Sequence, residues 1–398
     1  MNTISTERRK SWSRFRRNRP AVIAGWFIVG AIGVAIFGYW LAPDQSPDAN
    51  TQIPEIALQP PGFRVEVIPV RLNRTTAEQS WWSVPLHGRV PTARWLPVAP
   101  GSVRITLDSI HFQSFGSIKQ QTRLALPVLL WAVQDSLRSV SGNWVFTDEH
   151  GQAQQIDKIF LQHKIQNGGV LRVRHYPLGT DKYGRCMLSR LLLGFRVSLL
   201  VGCIAVVISL TLGLFIGALG GYFGGRTDDA VMLLVNTIWS IPTLLFVFVI
   251  VLALGRGIGI IFLAVGLTMW VEVARVVRGQ VLALRDIPFV EAARSMGMGS
   301  GRILRRHILP NLLGPVLVVA AGNFATAILL ESGLSYLGFG VQPPAPSWGS
   351  MLNENYGYAI GGEPLLALAP AAAIALTVLA FNLVGNGLRD ALDVRSRG

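Results

Sequence analysis

The chain has 398 residues, 51% of them hydrophobic and only 15% charged, with a formal net charge of +14. That balance is too apolar for an average soluble domain. The basic residues are split between the ends and the loops with no aromatic-interleaved patch, which argues against nucleic-acid binding. The two cysteines, Cys186 and Cys203, have no metal-ligand spacing and are not expected to form a disulfide.

Residues 1–20 are rich in arginine and precede an uncharged apolar run, 21–41, long enough to cross a bilayer. No small-x-small cleavage site follows it, so it reads as a retained anchor with a cytoplasmic N-terminus. The stretch from 42 to about 190 lies outside the membrane. Within it, FRVEVIPVRL, SVRITLDSI and GGVLRVRHY alternate as strands do, and TDEHGQ offers a turn. LALPVLLWAVQDSLRSV (124–140) is expected to be an amphipathic helix, too short and interrupted for a span. Trp81, Trp82, Trp95, Trp131 and Trp144 are more tryptophan than a disordered linker carries, so 63–174 is expected to fold as a small α+β domain.

Five more apolar runs follow in the stretch 190–398: Val197–Leu219, Ala230–Leu254, Ile258 to about Val277, Leu312–Leu330 and Leu365–Val384. Six spans starting inside place the loop after the fourth, and the C-terminus, in the cytosol. Arg275, Arg278, Arg285, Arg294, Arg302, Arg305 and Arg306 fall on that side, as do Arg389, Arg395 and Arg397. Arg256 is the basic residue of the short outer loops, in keeping with the positive-inside bias.

The loop 286–311 reads DIPFVEAARSMGMGSGRILRRHILPN. Asp286 is placed to cap a helix with Pro288 in its first turn, where the missing amide costs nothing. Ala292 and Ala293 leave one side low enough for a partner surface. Gly297 and Gly299 supply a reversal, Ser300 can cap a second helix, and Pro310 is expected to stop it. Glu291-Ala292-Ala293, Gly297 and the closing Leu309-Pro310 resemble the EAA signature of permease subunits of binding-protein-dependent ABC importers. LQPP (58–61), HYPLGTDKYGRCMLSRLLLGFRVSLLVG (175–202), GLSYLGFGVQPPAPSWGSML (333–352) and LTVLAFNLVGNGLRDALDVR (376–395) are similar to the oligopeptide/dipeptide branch, the OppC/DppC-like permeases. His307 stands where the broad family prefers isoleucine but matches that branch. Cys186, Asn386 and Val394 depart from it.

The resemblance implies an all-α polytopic membrane protein of six transmembrane helices, the type I importer permease fold, carrying the α+β insertion between helices 1 and 2. It implies a bacterial inner-membrane permease subunit for peptides or similar small solutes, forming half of a translocation pathway. Its implied partners are a homologous permease, two ATPase subunits and an extracytoplasmic binding protein. In that scheme Glu291, Ala292, Ala293, Gly297, Leu309 and Pro310 couple to the ATPase.

No G-x-x-x-x-G-K-[ST], G-x-S-x-G or metal-spaced cluster occurs, so the chain is expected to be neither an enzyme nor a holder of cofactor or metal; ATP belongs to the partner subunits. Glu331, Asn323, Asn236 and Ser240 are pathway candidates, since polar groups within spans are either functional or tie helices together. Two other classes stay open. A secondary transporter needs midplane charges and repeats that are not visible here. A membrane-anchored sensor or envelope-assembly protein would act through 63–174, and co-purification with an ATPase separates the three.

Overall fold

The computed structural model describes residues 12–73, 79–116, 119–255 and 257–392. Arg8, Arg9, Lys10, Arg256, Val394, Arg395 and Arg397 lie outside them. The chain divides into two compact units. One holds the chain up to Ala35, Gly194–Glu354 and the chain from Ala367; the other holds Ile36–Leu193 and Asn355–Leu366.

The first unit is helical. Five helices are each long and apolar enough to span a membrane: Arg19–Leu41 (span 1), Met187–Phe223 (span 2), Ile258–Arg285 (span 4), Ser300–Tyr336 (span 5) and Leu365–Leu392 (span 6). Span 3 is Gly225–Trp239 and Thr243–Leu254 together, bent by 87°. The uninterrupted run expected over Ala230–Leu254 is therefore corrected to two helices. Pro242 has no amide to donate and its ring crowds the preceding turn. The Ser240 hydroxyl bonds back to the Thr237 carbonyl at 2.7 Å at the break. The polar residues 226–229, expected in a turn, already belong to the first of these helices.

Span 4 is the most enclosed of the spans. Span 2 lies close against it along Gly213, Gly217 and Gly221, spaced one helical turn apart, facing Trp270, Ala274 and Arg278. A Cβ at Gly221 would fall 2.8 Å from the Arg278 carbonyl, so the helices touch backbone to backbone there. Val197, Val201 and Ala205 of span 2, Ile261, Val265 and Met269 of span 4, and Ala327, Leu330 and Leu334 of span 5 share one core.

The second unit carries three antiparallel sheets of three strands each. The first orders β2 (Ala93–Val98), β1 (Phe63–Arg71) and β9 (Arg172–Tyr176). The second orders β3 (Arg104–Ile105), β4 (Ser109–Gln113) and β5 (Gln121–Ala125); the third, β6 (Arg138–Val140), β7 (Asn143–Thr147) and β8 (Ala153–Asp157). A helix, Lys158–Gly168, is capped by the Asp157 side chain on the Phe160 amide. Ile68, Ile110, Leu126, Leu129, Trp144, Phe146, Leu161 and Ile165 bury together as this unit's core.

All three stretches expected to be strands contain them, and TDEHGQ is the β7–β8 turn. There the Asp148 carboxylate accepts from the amides of His150 and Gln152 and from the Gln154 side chain. The helix expected over 124–140 does not form. Pro127 sits in a short 3₁₀ turn, Leu126–Leu129, whose leucines plug the core, and β6 begins at Arg138. The α+β character of the insertion holds.

The two ends of the insertion are clasped. β1 pairs with β9 from Phe63↔Tyr176 to Val67↔Arg172. Below that ribbon the Thr180 hydroxyl donates to the Ile56 carbonyl, the Gln59 amide donates to Thr180 Oγ1, and the Leu58 amide donates to the Asp181 carbonyl. Gly184, at φ +72, lies so close to the Ile53 backbone that a side chain there has no room. Asp181, buried, accepts from the amides of Tyr183 and Arg185 and holds the Arg185 guanidinium at 2.6 Å.

Candidate functional site

The hairpin 286–311 is built from two short helices and a glycine turn. Its first helix is Pro288–Ser295, with Ile287 rather than Asp286 at the cap position and Pro288 at the start. Asp286 instead ends span 4, where it meets Arg285 at 3.2 Å. The helix closes in a paired reversal. The Met298 amide donates to the Ala293 carbonyl at 3.2 Å, and the Gly297 amide to the Arg294 carbonyl at 3.0 Å. That pattern requires a left-handed residue at the turn, and Gly297 supplies it at φ +78. Gly299, with φ −66, is the cap of the next helix, and Ser300 is its first residue.

The second helix does not stop at Pro310. Ser300–Tyr336 runs on as one rod, with a π-type turn over Leu304–Ile308 just ahead of Leu309 and Pro310. The widened turn leaves Pro310 in the first turn of the following α segment, where it lacks no partner. The expected stop is therefore a continuous connection.

One side of the hairpin is packed and the other is open. Val290, Ala293, Ile303 and Ile308 are buried with Ala218 and Tyr222 of span 2, Val273, Val277 and Val281 of span 4, and Leu312 and Val316 of span 5. Glu291 and Ala292 are exposed, and so are the apolar Phe289 and Met296, the latter 70% accessible. Ala292 and Ala293, expected to share one low side, point apart: Ala293 belongs to the core and Ala292 to the open face. Neighbouring helix positions differ by about 100°, so adjacent alanines cannot both face a partner.

Span 4 also grips the first half of span 3. Arg278 forms a two-pronged ion pair with Asp228, and Arg275 donates to the Asn236 side chain at 2.9 Å while stacking on Trp239. Arg285 reaches the Gly221 carbonyl at 3.3 Å. These cross-links were not legible as such, because arginines near a span end read only as topology.

The pathway candidates separate. Asn236 is exposed and held by Arg275, and Ser240 sits at the break of span 3. Asn323 is buried, its amide 3.5 Å from the Ser209 hydroxyl of span 2. Glu331 is fully buried; it accepts from the Ser335 hydroxyl at 2.7 Å and from Ser332, with Ser347 beside it. Ser335 also accepts the Val341 amide at 3.1 Å, so the carboxyl organises the turn that leads out of span 5. Among the described residues no group of three or more His, Cys, Asp or Glu could hold a metal ion.

Residues 209–398 match the family described as binding-protein-dependent transport system inner membrane component, and 7–61 match the N-terminal TM domain of oligopeptide transport permease C. The chain is 43% identical over 223 residues to the oligopeptide transport system permease protein OppC of Haemophilus influenzae, covering 56% of this chain and 71% of that protein. The chain belongs to this permease family. The OppC of Bacillus subtilis is 40% identical over 219 residues, covering 55% of this chain and 72% of that protein. A putative peptide permease protein of Brucella suis is 43% identical over 245 residues, covering 60% and 81%. Among solved structures, the permease is similar to a chain of the inward-facing MetNI methionine ABC transporter, with 21% identity, a TM-score of 0.43, and 52% of this chain and 98% of that one covered. The permease is thus a multi-span inner-membrane transport subunit of the OppC/DppC type. It is not an enzyme, and ATP hydrolysis belongs to a separate subunit. Its inserted sheets fall between the two matched segments.

Proposed function

We propose that this permease forms half of an import pathway for peptides or similar small solutes and that the hairpin 286–311 is its ATPase-docking lever. The observation that carries the reading is the two-sidedness of the hairpin. Its inner side is fused into one core with spans 2, 4 and 5, while Glu291, Ala292, Phe289 and Met296 stand free on the outer side. A push on the outer side cannot be absorbed locally, because close-packed interiors shift as units. It passes into span 4 directly and into span 5 through the continuous helix from Ser300 to Tyr336, on the order of 55 Å long at 1.5 Å per residue, which includes a π turn and Pro315. Arg278–Asp228 and Arg275–Asn236 carry the motion on to the first half of span 3, and the bend at Pro242 gives that half a place to pivot.

In this scheme the hairpin and both termini are cytoplasmic, a homologous permease supplies the other half of the pathway, two ATPases dock below, and an extracytoplasmic binding protein delivers solute. Gly297, Leu309 and Pro310 shape the lever, and Glu291 and Ala292 meet the ATPase. The relatives named for oligopeptide and dipeptide transport support a peptide substrate. Asn323 ties span 5 to span 2 through Ser209, and Glu331 organises the end of span 5 through Ser335. Co-expression with an ATPase subunit of an oligopeptide-type importer provides the test. The pair should co-purify from mild detergent, and Glu291→Arg should abolish both the association and peptide uptake at matched membrane levels. Undiminished association and uptake in Glu291→Arg would refute the docking face.

A further inference from the structure

The inserted domain contains a cavity of about 560 Å³ lined by residues 43–46, 51, 69, 71, 89–93, 95, 129, 130, 164, 165, 168–170, 172 and 174. It sits on one face of the β2–β1–β9 sheet. Side chains alternate along a strand, so Pro69 and Arg71 of β1, Ala93 and Trp95 of β2, and Arg172 and Arg174 of β9 share that face. The opposite face, with Ile68, Val70, Leu96 and Val98, is committed to the domain core. On the same face Val65 and Val67, the cross-strand partners of Arg174 and Arg172, are covered by Ile53 and Ile56, with Trp95 packed against that cluster.

Five cations converge on this space: Arg71, Arg89, Lys164, Arg172 and Arg174. Arg172 and Arg174 are same-face neighbours on one strand, an arrangement that repels. Arg89 is brought in by its own amide, which donates to the Gln45 carbonyl at 2.7 Å, next to Gly88 at φ +76 packed against Gln45 and Tyr39. None of the five makes a salt bridge to a carboxylate among the described residues. The acid in the lining, Asp44, is occupied: its oxygens accept from the Ser46 amide at 3.0 Å and from the Thr51 hydroxyl and amide at 3.0 and 3.1 Å. The walls also carry the apolar Val90, Pro91, Leu129, Leu130 and Val170, beside the uncharged polar Gln45, Ser46, Thr51 and Thr92. The Arg174 guanidinium lies over the Trp95 ring at 4.4 Å, which fixes its plane, and it also interacts with the Tyr176 hydroxyl.

From this geometry we infer that the inserted domain is a binding site for a small, partly apolar organic anion of short-peptide size, bearing two or more carboxylate or phosphate groups. The volume falls within the range of small-molecule pockets, roughly 300–1,000 Å³. The charges need a polyanion to relieve their mutual repulsion, and guanidinium groups recognise carboxylate and phosphate through paired hydrogen bonds. The apolar walls and Trp95 take the uncharged body. The site is distinct from the coupling hairpin, so its failure leaves the permease reading standing, and the reverse holds.

The test uses the full-length permease in phosphatidylcholine nanodiscs, which present no anionic lipid. The probe is tritiated acetyl-Glu-Phe-Glu, compared with the neutral acetyl-Gln-Phe-Gln-amide and with inorganic phosphate as a competitor. The charged peptide should bind saturably, and the neutral one about tenfold more weakly or worse, given the loss of several charge-assisted contacts. Raising the salt from roughly 0.05 to 0.5 M should weaken the charged peptide because these side chains are partly solvated. Arg172→Gln/Arg174→Gln should lower affinity by about tenfold or more, whereas Arg104→Gln/Arg138→Gln, an equal loss of charge outside the cavity, should not. Phosphate that displaces the peptide at comparable concentration assigns the site to phosphate bearers, and weak displacement assigns it to carboxylates. Equal binding of the two peptides, or equal weakening by the two double variants, would overturn the inference. An unchanged tryptic digestion pattern in each variant shows that the domain is folded.

Discussion

Replacing Gly297 by valine and, separately, by asparagine separates backbone shape from bulk in the hairpin. A Cβ at Gly297 meets no atom within 4 Å, so adding the first side-chain atom is not itself a clash. What differs is the backbone at φ +78, which asparagine tolerates and a β-branched residue resists. Holding valine there costs about 1–3 kcal/mol, and the middle of that range shifts the balance between the native and a rearranged turn about thirtyfold. The strain stays in the loop because Val290, Ala293, Ile303 and Ile308 keep their places in the core. Gly297→Val should therefore reach the membrane at normal levels yet lose ATPase co-purification and transport. Gly297→Asn should retain most of both. Gly301→Ala, which adds a side chain in open space on helical backbone, should be neutral or slightly stabilising. Asparagine as damaging as valine would mean that bulk against a partner, not the turn, governs coupling. Wild-type behaviour by valine would make the hairpin a mere connector.

Glu331→Gln keeps an acceptor for Ser335 and should preserve transport, whereas Glu331→Leu should lower the thermal stability of the purified protein by about 1–3 kcal/mol through the unpaired serines; loss of transport in the glutamine variant would instead place Glu331 on the solute's path. Asp181→Ala removes the buried carboxylate that pairs with Arg185 and should cost about 3–5 kcal/mol, seen as proteolysis near 177–186 and lower membrane levels; an unaffected digestion pattern would show that the clasp is dispensable. Burial raises the pKa of the Cys186 thiol, so it stays protonated at neutral pH, and N-ethylmaleimide should modify it only after denaturation. For topology, single cysteines at Gln120 and Ser300 in a background without Cys186 and Cys203 should label from opposite sides of the membrane, and labelling of both from outside would reverse the orientation.

The features that could be read in advance are those where one residue type has one physical reason to be present. Gly297 was legible because only glycine accepts that turn cheaply, and Pro288 because a helix start forgives its missing amide. Apolar runs gave the spans but concealed the break in the third, since hydropathy is continuous through Ile241 and Pro242. Leu126 and Leu129 imitated one face of a helix while filling the core from a 3₁₀ turn. Of the adjacent Gly220 and Gly221, only Gly221 makes the close approach to span 4, while Gly220 faces Val231 of span 3. Composition shows that small residues matter, but the phase of the helix decides which ones do. The cationic cavity could not be read at all, since it depends on β9 returning to β1 across a hundred residues of intervening chain.

The way β9 returns to β1 also determines what this chain can carry. The Gly62 amide donates to the Tyr176 carbonyl at 3.0 Å, so the strands enter and leave the insertion as an antiparallel pair about 5 Å apart. The clasp of Ile56, Gln59 and Thr180 closes the loop on its own account. Whatever hangs beyond Phe63 and Tyr176 adds little closure entropy, about 0.6 kcal/mol per doubling of its length. The ribbon therefore behaves as a socket: a foreign domain whose ends lie equally close together can be exchanged there without disturbing the register of spans 1 and 2, and so can a plain two-residue turn.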